Sequence, residues 1–244
     1  GVEEVYDTDF AADMTTISES QEFLERLKAG GPFPMFTSCC PAWVKYLELN
    51  DPKYLRNISS CKSPMEMFAA VLRDKYQAKD AADGRRTYHM AIMPCTAKKM
   101  EAARAEFTRD GQPDVDLVIT TRELVDMIRE AGIQLTELEP EAPDLPFGLG
   151  SGAAVIYGVT GGVAEAVVRY CLPDKSMTCQ GGCVGGAGQP YGLTAAKKRR
   201  GAGLYEADAT AMFKGAEKNP IVTRLLDEYG HERCHELLHV RYGE

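Results

Sequence analysis

Two stretches decide the fold class: YHMAIMPC at residues 88–95 and VDLVITTRELVDMIREAG at residues 115–132. The first is an apolar run of strand length that ends at Cys95. The second starts as another apolar run and continues with the periodicity of an amphipathic helix. Strands that alternate with helices predict an α/β fold with mainly parallel sheets flanked by helices. Ligands bind beyond the carboxyl ends of such strands, so a site is expected around Cys95.

Helix and turn signals extend this prediction in both directions along the chain. Thr16 and Glu19 predict a capping box for a helix that starts near Ser18 and ends at Gly30–Gly31. The segment PFPMFTSCCPAW, residues 32–43, predicts a short strand and a turn broken by proline. Further predictions are a helix from Pro64 to about Asp80, a Pro- and Gly-rich acidic loop over 136–150, a helix from about Gly161 to Tyr170, and a helical C-terminal third.

Composition excludes several classes of protein. The chain has 244 residues, of which 44% are hydrophobic and 26% charged, as in a globular domain with a sizeable core. No apolar stretch is long enough for a transmembrane helix, and the acidic start GVEEVYDTDF predicts no signal peptide, so we expect a soluble cytoplasmic protein without a membrane partner. A net charge of -8 argues against a nucleic-acid partner.

Eight cysteines in a chain without an export signal indicate metal binding or catalysis rather than disulfides. Three segments carry five of them: TSCCPAW (37–43), MPCTAKKME (93–101) and MTCQGGCVGGAGQP (177–190). Adjacent side chains diverge, so the first segment would give one ligand, the second one and the third two. Four thiolates suit zinc or an iron–sulfur cube. The wide spacing favours the cube, whose sulfides the glycine-rich backbone can approach closely.

These three segments, in this order, resemble the signature motifs of the [FeFe]-hydrogenase catalytic domain: TSCCPxW, MPCxxKxxE and MxCxxGCxxGGGQP. Only Ala187 departs from the third motif. Supporting matches run from FAADMT (10–15) to HELLHVRY (235–242), so the resemblance covers most of the chain. It implies one catalytic domain over 1–244 without an N-terminal ferredoxin-like domain. The metal cluster would lie between two sub-lobes, approximately 1–85 with the C-terminal region and 86–170.

The resemblance also implies a cofactor and its ligands. Cys40, Cys95, Cys179 and Cys183 would ligate a [4Fe–4S] cluster. Cys183 would bridge this cluster to a diiron subcluster with CO, CN and azadithiolate ligands, and the two together form the H-cluster. Lys98 would donate hydrogen bonds to a cyanide ligand. The residues expected to line the diiron pocket are Ser63, Met93, Pro94, Tyr157 and Met177, although core packing explains the methionines equally well.

A proton relay follows from the same resemblance. Cys39 would carry protons from the diiron amine, and the path outward would be Glu19, Ser59, Glu22 and Arg26. Glu19 and Glu22 lie three residues apart, so they share one helix face. Buried carboxyl groups have raised pKa values and exchange protons near neutral pH. A solvated, charged helix face is the alternative explanation of this spacing.

The implied activity is the reversible reduction of protons to H₂, with ferredoxin or a similar small carrier as electron donor and dedicated enzymes that mature the diiron unit. Several departures from the family's pattern predict a reduced core. Met65 and Tyr157 replace a glutamine and a phenylalanine that line the diatomic-ligand pocket. Arg169–Tyr170 leads almost directly to Met177, where the family inserts a helix and several strands, and the family's N-terminal alanine–proline–serine contact to the diiron site is not found. A sensor of H₂ or redox state, or a cluster-assembly factor, is therefore the alternative function.

Three other features suggest weaker hypotheses. HELLH, residues 235–239, matches the zinc protease pattern H-E-x-x-H, but no third ligand motif follows it. KKRR, residues 197–200, is typical of a solvated helix face and could also dock an acidic ferredoxin. Cys61, Cys171 and Cys234 belong to no motif and are interpreted as structural or incidental thiols.

Overall fold

The computed structural model describes residues 2–171, 189 and 194–242, and helices dominate this part of the chain. The α-helices are α1 Asp9–Ala29, α2 Pro41–Asn50, α3 Pro64–Asp83, α4 Ala97–Ala102, α5 Thr121–Glu130, α6 Gly152–Val155, α7 Gly162–Cys171, α8 Thr194–Thr210 and α9 Pro220–Leu238. The strands are β1 Met90–Met93, β2 Thr108–Arg109, β3 Gln112–Pro113 and β4 Leu117–Thr120. None of the described helices is long and apolar enough to cross a membrane.

Helix α1 organises the main hydrophobic core. It packs against α3, α6, α7 and α9, and its first half is buried from Phe10 to Ser20. Phe10 contacts the rings of Phe68 on α3 and Phe147, while Leu237 from α9 belongs to the same cluster. The second half of α1 is more exposed, so the helix runs from the core to the surface. It can therefore connect a buried site with solvent.

The predicted start of α1 near Ser18 is wrong, whereas its end is confirmed. The helix begins at Asp9, and the Thr16 hydroxyl donates to the Ala12 carbonyl within it (2.8 Å), so Thr16 and Glu19 form no capping box. Burial of apolar residues such as Phe10 outweighs the weak helix propensity of this Thr- and Ser-rich stretch. Gly30 closes the helix with φ 83°, a left-handed conformation that glycine adopts without strain.

The parallel pairing of β1 and β4 confirms the α/β prediction. Met90 pairs with Leu117 and Met93 with Thr120, and α5 follows β4 directly with a capping box from Thr120 and Glu123. The sequence predicts that β1 and β4 are buried, and this prediction is wrong for one face of the strand pair. Met90, Ile92 and Leu117 are exposed by 42%, 44% and 41% in the described part of the chain, so only the opposite face is covered.

The segment 32–43 contains less strand than predicted. Phe36 makes one isolated parallel bridge with Ile58, and the chain then reaches Pro41, the first residue of α2. Proline fits this first helical position, and it holds the preceding residue, Cys40, in extended geometry (φ -100°, ψ 103°). The helices predicted from Pro64, near Gly161 and in the C-terminal third are confirmed as α3, α7, α8 and α9. The division into two sub-lobes stays a prediction.

Candidate active site

Two of the four predicted cube ligands lie at neighbouring helix starts. Cys40 is exposed at the N-cap of α2, and Cys95 is partly buried between β1 and α4. Helices α2 and α4 pack against each other, so both thiols belong to one region. The dipole of α2 favours negative charge at Cys40. Met177, Cys179 and Cys183 lie outside the described residues, and no disulfide joins the described cysteines.

Lys98 connects these two thiol segments. Its ammonium group donates to the Cys39 carbonyl (2.9 Å) and pairs with Glu101 (2.7 Å). Burial alone would lower the pKa of Lys98, but the Glu101 carboxylate raises it on balance, so the side chain stays cationic. A fixed cation beside two thiols is suited to an anionic ligand.

Residues 36–38, which precede Cys39, are held by hydrogen bonds to residues 57–61. The Phe36 amide donates to the Asn57 carbonyl (2.8 Å), and the Ser59 amide donates to the Phe36 carbonyl (2.7 Å). The Ser38 hydroxyl donates to the Cys61 carbonyl. Cys39 is therefore held between Lys98 and the serines that face α1.

Glu22 is the most connected residue of the predicted relay. Its Oε2 atom accepts hydrogen bonds from the Ser59 hydroxyl (2.7 Å) and the Ser60 amide (3.0 Å). Its Oε1 atom pairs with the Arg26 guanidinium at 2.5 Å. Arg26 also donates to the carbonyls of Asn57 (3.2 Å) and Ile58 (2.6 Å), and its side chain is 14% exposed. Ser59, Glu22 and Arg26 thus form a continuous polar path to the surface.

Glu19 lies one turn deeper on α1 and differs sharply from Glu22. The side chain is 1% exposed, and neither carboxyl oxygen has a hydrogen-bond partner among the described residues. Burial raises the pKa of Glu19 to about 8, the charge of Glu22 adds to the rise, and the charge of Arg26 opposes it. Glu19 therefore carries its proton at neutral pH and titrates in the range that proton transfer needs.

A second buried carboxyl group, Glu66, was missed in the sequence. It lies on α3, is fully buried, and lacks a hydrogen-bond partner within the described part of the chain. Burial raises its pKa to about 8, with Glu101 adding to the rise and Lys98 opposing it. The sequence signal was a single acidic residue inside the apolar run PMEMFAAV, which indicates a buried charge or a cap.

The other predicted pocket residues that the structure describes lie in different surroundings. The hydroxyl groups of Tyr157 and Thr16 lie 3.0 Å apart, within hydrogen-bond distance. Burial raises the pKa of the Tyr157 hydroxyl, and the charges of Glu19 and Cys39 add to that rise. Tyr157 therefore lies beside the predicted relay. Met93 packs in the core near β4. Ser63 is buried as the N-cap of α3, and Pro94 is partly buried before Cys95.

The described residues fit the cofactor that the motifs predict. Thiols at Cys40 and Cys95 are the soft donors that iron–sulfur clusters require. Lys98 supplies a cation toward bound anions. Two buried carboxyl groups, Glu19 and Glu66, have no hydrogen-bond partner in the described part of the chain, which is unusual in a core unless further polar groups or chemistry are involved.

Comparison with known proteins agrees with this reading. Residues 1–176 match the family described as iron only hydrogenase large subunit, C-terminal domain, and residues 194–244 match the iron hydrogenase small subunit family. The chain therefore belongs to the [FeFe]-hydrogenase family. The structure superposes on a variant of the [FeFe]-hydrogenase HydA1 from Chlamydomonas reinhardtii with a TM-score of 0.83 and 31% identity, covering 99% of this chain and 85% of that chain.

The curated relatives include two kinds of protein. Iron hydrogenase 1 of Clostridium pasteurianum is 33% identical over 312 residues, covering 99% of this chain and 54% of the relative. The cytosolic Fe-S cluster assembly factor narfl of Xenopus tropicalis is 31% identical over 184 residues, covering 71% of this chain and 39% of the relative. The chain spans about half the length of the hydrogenase it matches, and the alignment is longer than the chain, so that relative carries additional segments within the matched region.

Proposed function

We propose that the chain is the catalytic core of an [FeFe]-hydrogenase that interconverts protons, electrons and H₂ (2H⁺ + 2e⁻ ⇌ H₂). The observation that carries the proposal is the arrangement of carboxyl groups and their partners on α1. A buried, protonated Glu19 lies one turn from Glu22, and Glu22 is hydrogen-bonded to both Ser59 and the surface residue Arg26. A cluster-assembly factor, or a sensor of H₂ or redox state that does not turn over, would not require a proton path.

The H-cluster would be held by Cys40, Cys95, Cys179 and Cys183, with Lys98 donating to a cyanide ligand. When bound, this group supplies the redox chemistry and the site at which H₂ is formed or split. The pocket around it would be lined by Ser63, Met93, Pro94, Tyr157 and Met177.

The side chains would move protons in a defined order. Arg26 orients Glu22 at the surface, and the Ser59 hydroxyl, which donates to Glu22 Oε2, can turn to serve as the link inward. Glu19 would take a proton from this link and pass it to the Cys39 thiol. A pKa of about 8 allows Glu19 to lose and regain its proton without a large energetic cost. Solvent is excluded from Glu19 because the side chain is 1% exposed.

Other proteins would supply the electrons and assemble the diiron unit. Ferredoxin or a similar small acidic carrier would dock near 197–200, where three of the four basic side chains on α8 are exposed. Dedicated enzymes would mature the diiron unit, and the expected compartment is the cytoplasm. Iron hydrogenase 1 is about twice as long as this chain, and its additional segments could carry out the same electron transfer.

The test is hydrogen evolution, measured by gas chromatography, from anaerobic protein loaded with both parts of the H-cluster and reduced by viologen. The Cys39→Ser variant provides the comparison, and Cys234→Ser, which changes a thiol on α9, is the matched control. Evolution that falls at least about 100-fold in Cys39→Ser alone supports the proposal. No hydrogen from the loaded wild-type protein contradicts it.

A cluster-assembly function is the second candidate, and the similarity to narfl favours it. Under that function the chain would bind a [4Fe–4S] cluster through Cys40 and Cys95 but produce no H₂. The same experiment separates the two candidates, because cluster content and hydrogen evolution are measured on one sample.

A further inference from the structure

Glu22, Cys61 and His239 meet at the surface end of the relay. Glu22 comes from α1, Cys61 precedes α3 and His239 follows α9. An isolated antiparallel bridge pairs Cys61 with His239. Backbone hydrogen bonds from Lys62 to Leu238 (2.8 Å) and from Val240 to Ser60 (2.7 Å) fix that pairing. Three elements therefore hold an oxygen, a sulfur and a nitrogen donor in one place.

The donor atoms have the spacing of a metal site. The Cys61 sulfur lies 3.8 Å from Glu22 Oε2 and 3.9 Å from His239 Nδ1, and all three ligand atoms lie within 4.8 Å of one another. A tetrahedral zinc ion, with bonds of about 2.3 Å to sulfur and about 2.0–2.2 Å to nitrogen or oxygen, needs the sulfur about 3.6 Å from each lighter ligand. The two sulfur distances in the structure are within about 0.3 Å of this value.

We propose that Glu22, Cys61 and His239 form a second metal site that binds one Zn²⁺ ion, separate from the predicted iron ligands. Carboxylate, thiolate and imidazole are all ligands that zinc accepts, and a solvent molecule completes many sites with three protein ligands. The site faces the surface on one side, since the Glu22 side chain is 12% exposed and His239 is partly buried.

Zinc binding would require the three side chains to exchange existing hydrogen bonds for metal bonds. Glu22 uses Oε1 for Arg26, so Oε2 can bind a cation without breaking that ion pair. The Nδ1 atom of His239 lies 2.8 Å from the Ser60 hydroxyl, a hydrogen bond that the zinc ion would replace. On binding, the S–H bond of Cys61 breaks, its electron pair forms the bond to zinc, and the proton leaves to solvent without electron transfer.

One consequence rests on the proposed function. Glu22 Oε2 is the atom that accepts the hydrogen bond from Ser59, so a zinc ion bound there removes Glu22 from the relay. Zinc would then inhibit hydrogen evolution by stopping proton transfer, while the iron centre stays intact.

Binding is tested on protein loaded with its [4Fe–4S] cluster, so that the cluster ligands are occupied. Equilibrium dialysis with Zn²⁺ and X-ray absorption at the zinc edge should give one ion per chain with one Zn–S bond of about 2.3 Å. Cys61→Ala should lose that bond and bind zinc at least about 100-fold more weakly, and Cys234→Ala should match the wild type. If Cys61→Ala does not fold, His239→Gln should give the same weakening. A zinc shell without sulfur, or equal binding in the wild type and these variants, overturns the site.

The inhibition is tested on the fully loaded enzyme, with each protein compared with its own zinc-free rate. Zinc should lower the wild-type rate at least about tenfold, a chelator should restore it, and His239→Gln should be inhibited far less. Zinc that binds in the dialysis experiment but leaves the wild-type rate unchanged overturns the inhibitory role. If the loaded enzyme makes no H₂, the proposed function fails while the dialysis and absorption results still decide the metal site.

Discussion

Glu19 and Glu66 are two buried carboxyl groups with the same proton affinity and different surroundings. Burial raises the pKa of each to about 8, and neither has a hydrogen-bond partner in the described part of the chain. Glu19 lies one turn from Glu22, which leads to the surface through Arg26. Glu66 lies among Lys98, Glu101 and the buried ion pair of Lys62 with Asp114. A raised pKa alone therefore does not make a relay, because conduction also requires a path to solvent.

The largest expected difference between Glu19 and Glu66 is in the rate of hydrogen evolution when each is replaced. Glu19→Gln removes the titrating group from the path, so we expect hydrogen evolution to fall at least about 100-fold. Glu66→Gln leaves the path intact and should change the rate by less than about threefold. Gas chromatography of both variants, loaded and driven by reduced viologen, measures the comparison. An equal loss of hydrogen evolution in the two variants would mean that Glu19 and Glu66 do not differ in their role in proton transfer.

Stability should depend on pH through both groups alike. Each pKa is raised from 4.5 to about 8 on folding, so the folded state holds protons that the unfolded state has released. The free energy of unfolding should therefore fall as pH rises from about 4.5 to about 8, by on the order of a few kcal/mol for each group. Urea unfolding of the cluster-loaded protein at several pH values measures this slope.

The control for this slope is the double variant E19Q/E66Q, which should reduce it because neither group titrates, while Asp9, whose pKa burial raises to about 7, still contributes. Each single variant should remove part of the slope. A slope that is the same in the wild type and the double variant would mean that the two carboxyl groups are not desolvated.

The smallest expected effect concerns electrons rather than protons. Lys197→Glu with Lys198→Glu reverses charge on an exposed part of α8, and we expect ferredoxin-driven turnover to fall about three- to tenfold at low salt. Viologen-driven turnover should be unchanged. The matched control is Lys28→Glu with Lys53→Glu, which changes the same charge elsewhere on the surface. Equal loss with both donors would argue against docking at α8.

The residues of the predicted relay come from the resemblance to the family's motifs, and helical spacing indicates only that those on α1 share one face. Glu19, Glu22 and Arg26 share a face of α1 even though the predicted start of that helix was nine residues late. Helix boundaries depend on tertiary burial, as Phe10 illustrates, whereas spacing within a helix depends only on its geometry.

The surroundings of Glu66 and His239 could not be predicted from sequence spacing. Ser63 and Glu66 have the S-x-x-E pattern of a capping box, and Ser63 does accept from the Glu66 amide (3.4 Å). The Glu66 carboxyl group, however, is buried and has no hydrogen-bond partner among the residues that the structure describes. His239 ends the motif HELLH, but it lies beyond α9 and contacts Ser60 and Cys61, which are far away in the sequence. Only the fold brings these groups together.

The most direct test of the account is the protonation of Glu19, measured by infrared difference spectroscopy of the loaded protein between pH 6 and 10. The carbonyl stretch of a protonated carboxyl group disappears when the group ionises. The account predicts two such bands that titrate near pH 8, one absent in Glu19→Gln and the other in Glu66→Gln, with only the Glu19 band altered by Cys39→Ser. A Glu19 that is ionised throughout this range, or a band that does not respond to Cys39→Ser, would contradict the proposed relay.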